Sequence, residues 1–161
     1  VNSSFFSFKK IISNKLKFNF FLLSKLPLVF FCGIKVKELS FDKAQTTVKY
    51  KWINQNPFGS LYFAVLSMAA ELSTGLLVFA NIYNRKPAIS MLVTKMEAVY
   101  FKKATGTIFF TCNDGIELAK AIEDVYNNNK AIKINCTSVA TNEANEIVAQ
   151  FNFEWSLKNK N

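Results

Sequence analysis

The sequence predicts an α+β fold in which a strongly curved antiparallel sheet wraps one long central helix. Three observations predict it. The run NPFGSLYFAVLSMAAELSTGLLVF, from Asn56 to Phe79, is apolar almost throughout after Pro57, and Glu71 is its one charge. Segments with the two-residue apolar alternation of strands lie on both sides of it. A helix that is apolar nearly all round must be covered on every side, and a curved sheet closing over it does so.

The elements follow in chain order. Phe5 to Gly33, FFSFKKIISNKLKFNFFLLSKLPLVFFCG, is basic and then apolar. Lys25 and Pro27 interrupt the apolar part, so no run there reaches the length of a membrane span. Ile11, Ile12, Leu16, Phe20 and Leu23 fall at helical spacing, with Lys9, Lys10, Asn14 and Lys17 on other faces. An amphipathic helix packed on the domain is the first reading. A helix lying on a membrane surface is the second, and a cleavable signal ranks below both. Because the chain opens on Val1, its natural start is expected to lie elsewhere. Residues 1–33 are thus an N-terminal amphipathic helical extension, and 34–158 are the sheet-and-helix domain.

IKVKELSF alternates Ile34, Val36 and Leu39 against Lys35, Lys37 and Glu38. QTTVKYKWI repeats the pattern with Val48, Tyr50 and Trp52, and DKA between them makes the turn of a hairpin. NQNPFGS is a cluster of breakers. Asn56 before Pro57 is the expected N-cap of the central helix, with Ser60 the competing cap. The helix is expected to run to about Tyr83, where NRKP closes it. Ala88 to Ala104 and Thr105 to Asn113 read as strands with Gly106 in the turn between them. From Asp114, a possible cap, a short amphipathic helix turns Ile116, Ala119, Ile122 and either Val125 or Tyr126 inward, and the Asn127–Asn129 run ends it. Two more strands follow, joined by NEAN, with Ile147, Ala149, Phe151, Phe153 and Trp155 on one face.

The bulk properties narrow the function. A chain of 161 residues is one domain by size. Half its residues are hydrophobic and seventeen are Phe, so the core is aromatic. The net charge is +9, but nineteen of the twenty basic residues are Lys, and Arg85 alone offers the planar fork suited to guanine or phosphate. A solvated lysine surface is the first reading, acidic substrates such as CoA esters come next, and nucleic acid is not expected as a partner. There is no histidine, which removes Ser-His and Cys-His nucleophiles, histidine bases and most metal sites. Cys32, Cys112 and Cys136 show no CxxC spacing, which argues against a disulfide framework or a zinc centre and for a reduced cytoplasm. Neither a metal nor a cofactor is expected.

Glu71 is the informative residue. Burying an unpartnered carboxylate costs several kcal/mol or forces it to protonate. On a helical projection Ser60, Ala64, Ser67, Met68, Thr74, Gly75 and Val78 fall within about 60° of it. This is a stripe of mostly small residues where a ligand, a strand or another chain can approach closely. The hydroxyls of Ser67 and Thr74, one turn away on either side, are candidate donors to the carboxylate.

NPFGSLYFAVLSMAAEL resembles the helix start of the hot-dog thioesterases. In the bacterial acyl-CoA branch of that superfamily an Asn and a Gly precede a His-Gly-Gly that opens the helix, and an acidic residue follows nine positions after the His. Asn56 stands at the Asn position and Glu71 at the acidic one. Counting back nine from Glu71 reaches Tyr62, so Tyr62, Phe63 and Ala64 replace His-Gly-Gly, and the histidine's role is not carried over. The stretch is more similar still to the uncharacterised thioesterase-like branch of DUF4442 type, with Gly59 and Ser60 before the helix and Glu71-Leu72 late in it. The resemblance implies a homodimer, or a dimer of dimers, with an acyl-CoA or acyl-carrier thioester bound between copies. It further implies Glu71 as general base or nucleophile, facing the helix start of the other subunit, with Asn56, Gly59, Ser60, Tyr62, Ser67 and Thr74 around the substrate. On charge alone, and not from the resemblance, Lys86 or Arg85 is a candidate to meet CoA phosphates at the rim. The alternative is a catalytically silent module of the same fold that binds an acyl chain or a protein partner. A dehydratase of this fold ranks third, since its usual histidine is absent.

Overall fold

The structure is a computed structural model that describes residues 3–160. Val1 and Asn2, the first residues of the expected extension, lie outside the described residues. Three helices open the chain: α1 (Ser3–Ser13), α2 (Lys15–Lys25) and α3 (Pro27–Phe31). Next come β1 (Lys35–Leu39), β2 (Ala44–Lys49), the long α4 (Phe63–Ile82), β3 (Ile89–Tyr100), β4 (Thr107–Cys112), α5 (Gly115–Asn128), β5 (Ile132–Thr141) and β6 (Ile147–Asn159). The six strands form one antiparallel sheet in the order β1-β2-β4-β5-β6-β3. The expected α+β class holds: a hot-dog arrangement in which the sheet curls round α4.

Helix α4 is long and apolar enough to cross a membrane, yet most of it is buried inside the fold. The sheet, α1 and α5 pack against it. Phe110, Phe151 and Phe153 from the sheet are fully buried, each worth roughly 1.5–3 kcal/mol relative to exposure. Polar pairs fix helix to sheet at two points. The Thr46 hydroxyl donates to the Ala69 carbonyl at 2.7 Å, and the Ser73 and Ser138 hydroxyls meet at 2.8 Å.

The N-terminal extension departs from the expected single helix. The Asn14 side chain accepts from the Lys17 N–H at 3.0 Å, which caps a new helix. Pro27 then begins α3, since it suits a first helical position and cannot continue the one before. The inward residues also differ. Phe5, Phe8, Phe18 and Leu22 are buried, whereas Leu16 and Phe20, expected on the packed face, are 83% and 73% exposed. The break at Asn14 resets the helical phase, so spacing counted across it does not report one face. Phe8, Phe21, Phe79 and Tyr83 form an aromatic cluster, with Phe8 and Phe79 5.0 Å apart. This cluster caps the C-terminal half of α4.

Smaller departures lie at the ends of elements. Strand β2 ends at Lys49, and Trp52 lies exposed in a 3-10 turn instead of extending the strand. In α5 it is Leu118 that is buried and Ile116 that is exposed, and in β6 Ile147 is exposed at the strand's first residue.

Candidate functional site

Helix α4 begins at Phe63, later than either expected cap. The chain from Asn56 to Leu61 makes a closed loop first. The Asn56 Oδ1 accepts from the N–H groups of Phe58 and Ser60 at 2.9 and 3.3 Å, and its Nδ2 donates to the Ser60 hydroxyl at 2.9 Å. Gly59 takes the left-handed conformation this loop needs. Asn56 and Ser60 are therefore loop staples, not helix caps, and Asn56 spends its amide locally. Tyr62 holds the N-cap position but makes no side-chain cap. The first helical N–H groups, those of Phe63 and Ala64, have no carbonyl a turn back to bond. They are open donors at the positive end of the helix dipole.

Glu71 sits about 12 Å further along the helix. It lies where the aromatic cap gives way to the half-open positions Met68, Ser67 and Ala64. Its side chain is half-buried, and no hydrogen bond or ion pair holds its carboxylate among the described residues. Burial alone raises its carboxyl to about 7. The expected donors point elsewhere. The Ser67 hydroxyl donates to the Phe63 carbonyl at 3.0 Å and the Thr74 hydroxyl to the Glu71 backbone carbonyl at 2.9 Å. Both follow the usual bias of helical Ser and Thr toward the preceding turn. Thr74 in turn accepts from the Trp155 indole N–H at 3.0 Å.

Gly75, from the stripe of small residues, and Trp155, which the sequence did not place here, border the carboxylate. A Cβ on Gly75 would lie 3.2 Å from the Glu71 Oε1 and 3.4 Å from the Trp155 Cζ2. The missing side chain is the space in which the carboxylate and the indole both fit. A glycine inside a long helix costs about 1 kcal/mol against alanine, and that cost was the signal available in the sequence. Trp155 gave no comparable signal, because its position against Gly75 depends on sheet curvature.

Glu71 lines a cavity of about 420 Å³ between α4 and the N-terminal helices, walled almost wholly by apolar side chains that include Phe18, Leu22, Leu76 and Met91. Lys25 also lines it without pairing with Glu71. Asn56, Ser60 and Tyr62 line a different cleft, at the α4 start, together with Phe101 and Lys103. Gly59, Ser67 and Thr74 line neither. Within one chain the structure therefore separates Glu71 from the predicted helix-start residues. Arg85, a candidate for the substrate rim, donates from both terminal guanidinium nitrogens to Glu123 and lies over the Tyr126 ring. Neither Arg85 nor Lys86 reaches the Glu71 cavity. Cys112 and Cys136 are buried free thiols, the former raised to about 12 by desolvation, so neither is a nucleophile.

The model of a family described as a domain of unknown function, DUF4442, matches residues 14–157. No curated protein matches the chain. Among solved structures, a protein of unknown function from Pseudomonas aeruginosa, described as a probable thioesterase, aligns with a TM-score of 0.75 at 19% identity, covering 91% of this chain and 97% of that one. A protein of unknown function from Chlorobaculum tepidum aligns with a TM-score of 0.76 at 19% identity, covering 89% and 93%. A thioesterase from Haemophilus influenzae aligns with a TM-score of 0.68 at 14% identity, covering 91% of each chain.

Proposed function

Since the chain belongs to the DUF4442 family and carries the hot-dog fold of thioesterase-like proteins, we propose that it hydrolyses acyl-CoA or acyl-carrier thioesters with Glu71 as general base. One observation carries the reading. An unpartnered carboxyl poised at about 7 is set in the wall of an apolar cavity. A structural carboxylate would be expected to have donors, because leaving it bare costs stability with no return. A base that must take a proton from water at neutral pH is best left unpaired and near its operating pH.

The proposed step is simple. Glu71 removes a proton from a water as its oxygen attacks the thioester carbonyl carbon. The carbon–sulfur bond breaks, and the thiolate leaves with the proton that Glu71 returns. The developing oxyanion needs donors, and the open N–H groups of Phe63 and Ala64 are suited to that role. They stand two turns from Glu71 in their own chain, so the reading requires a second copy to bring its α4 start to this Glu71. Of the sheet's two edge strands, β1 and β3, the longer β3 is the one we assign to that pairing. No strand among the described residues pairs with its far side, and exposed Leu92 and Val99 stand on its face away from the core, around the Lys95–Glu97 ion pair; an open edge of this kind is a pairing site. The three free thiols fit a reducing compartment such as the cytoplasm.

The silent-module reading keeps one observation in its favour. Tyr62 and Phe63, packed edge to face at 4.9 Å, bring bulk to the helix start where a thioester would approach. Purified protein offered a panel of acyl-CoAs separates the two. Hydrolysis predicts turnover that is lost in Glu71→Gln with an unchanged melting transition at low pH. Retained acyl-CoA without turnover, in wild type and variant alike, selects the silent module.

A further inference from the structure

Helix α2 is apolar on two opposite faces. Phe18, Phe21 and Leu22 turn toward the fold, where Phe18 and Leu22 are buried and all three line the Glu71 cavity. Leu16, Phe20 and Leu23 repeat at i, i+4 and i+7 and form a second stripe on the far side. That stripe is open to solvent, with even Leu23 45% exposed. A helix apolar on both sides has two surfaces to cover, and this fold covers one. Single exposed apolar residues are ordinary, but an aligned stripe on one helix marks an interaction surface. The short α3 adds exposed Leu28 and Phe31.

The charge around the stripe is one-sided. Lys15 and Lys17 stand on its two flanks, about 100° either side of Leu16, and both are exposed. The first 37 residues hold seven Lys and no acidic residue, so they supply seven of the nine net positive charges. The first acidic residue, Glu38, is paired with Lys43 at 2.7 Å. A second copy of the chain seated on this face would set lysine against lysine. Leu and Phe between flanking lysines are instead the composition that lies in the headgroup region of a negatively charged bilayer, the rings and branched chains entering the acyl boundary and the ammonium groups meeting phosphate.

We propose that the outer face of α2, with α3, docks the protein on an anionic phospholipid bilayer. The same helix then presents its lysines and leucines to lipid and its inner face to the cavity. The docking is independent of any chemistry at Glu71.

Flotation of the 161-residue chain with vesicles tests it. Vesicles of phosphatidylcholine with added phosphatidylserine are expected to carry the protein, and vesicles of phosphatidylcholine alone are not. Added salt weakens the association by screening. Two variants at exposed positions separate the contributions. Leu16→Ser/Phe20→Ser/Leu23→Ser removes the apolar stripe and lowers the vesicle-bound fraction more than tenfold. Lys15→Glu/Lys17→Glu also lowers it more than tenfold, at roughly fivefold for each lysine lost. Failure to bind anionic vesicles, or binding unchanged in the apolar variant, overturns the proposal. So does a wild-type assembly whose mass falls in the apolar variant, which assigns the face to a second copy. Binding to polyglutamate as tight as to vesicles, lost in the lysine variant and kept in the apolar one, assigns it to an acidic protein and equally overturns the proposal.

Discussion

Glu71 carries a cost in the folded chain that varies with pH in a definite direction. Its carboxyl is raised from an ordinary 4.5 to about 7 by burial, so folding favours the protonated form. Between those values the folded protein keeps a proton that the unfolded chain has released, and stability falls as pH rises through the window. The full cost, about 3 kcal/mol at 1.36 per unit, is present above 7 and absent well below 4.5. Glu71→Gln is therefore more stable than wild type at pH 8 by up to that amount and equal to it near pH 4, as urea unfolding at both pH values would show. The same ionisation sets the expected rate profile: kcat/KM for hydrolysis rises with pH through an acid limb near 7. Gly75→Ala acts on the same carboxylate. The helix gains about 1 kcal/mol of propensity, while the new methyl presses on Oε1 and on Trp155. Stability is expected to change by less than about 1 kcal/mol while turnover falls about tenfold, which is what a misplaced base gives and a purely structural glycine does not.

Among the elements, apolar periodicity reported helix and strand identity well and boundaries poorly. The hairpin, the central helix, the four later strands and the helix inserted between β4 and β5 all stand where alternation or helical spacing placed them. The start of α4 does not, because Asn56 and Ser60 satisfy their hydrogen bonds within a loop that the sequence presents as a cap. Asp114, a possible cap for α5, instead accepts from the Thr137 N–H at 2.7 Å and ties the helix start to β5. Nothing local marks that choice, since Thr137 is distant in sequence. The α5 start is also pressed against the β1–β2 turn: a Cβ on Gly115 would lie 2.3 Å from the Phe41 carbonyl oxygen. Gly115→Ala must push helix from turn, and overpacking of this kind costs about 1–3 kcal/mol. Thermal unfolding is the measurement, with the chain expected to fold but melt earlier.

At the scale of the whole molecule, the proposed activity and the proposed assembly stand together. If the α4 start of one copy serves Glu71 of another, the protein in solution has at least twice the 18.3 kDa of one chain. Leu92→Lys with Val99→Lys charges the open edge of β3 on the face away from the core. Light scattering is expected to show that variant as a single chain, and its hydrolysis is expected to fall to background although Glu71 is intact. A single-chain wild type that still turned over acyl-CoA would remove the shared-site reading.

The sequence by itself determined the class of fold and the identity of its odd residue. Patterning requires only local spacing, and one carboxyl in a long apolar run is conspicuous without coordinates. Only the tertiary structure decided what surrounds that carboxyl. Ser67 and Thr74 turned to backbone carbonyls, Gly75 and Trp155 made the room, and an aromatic cap from the N-terminal helices closed a cavity beside it. It also decided which side of α2 faces in, because a break at Asn14 shifts the helical phase and packing against Phe79 then selects the face. Spacing along a chain specifies what an element can bury, whereas the neighbours it meets in space settle what it does bury.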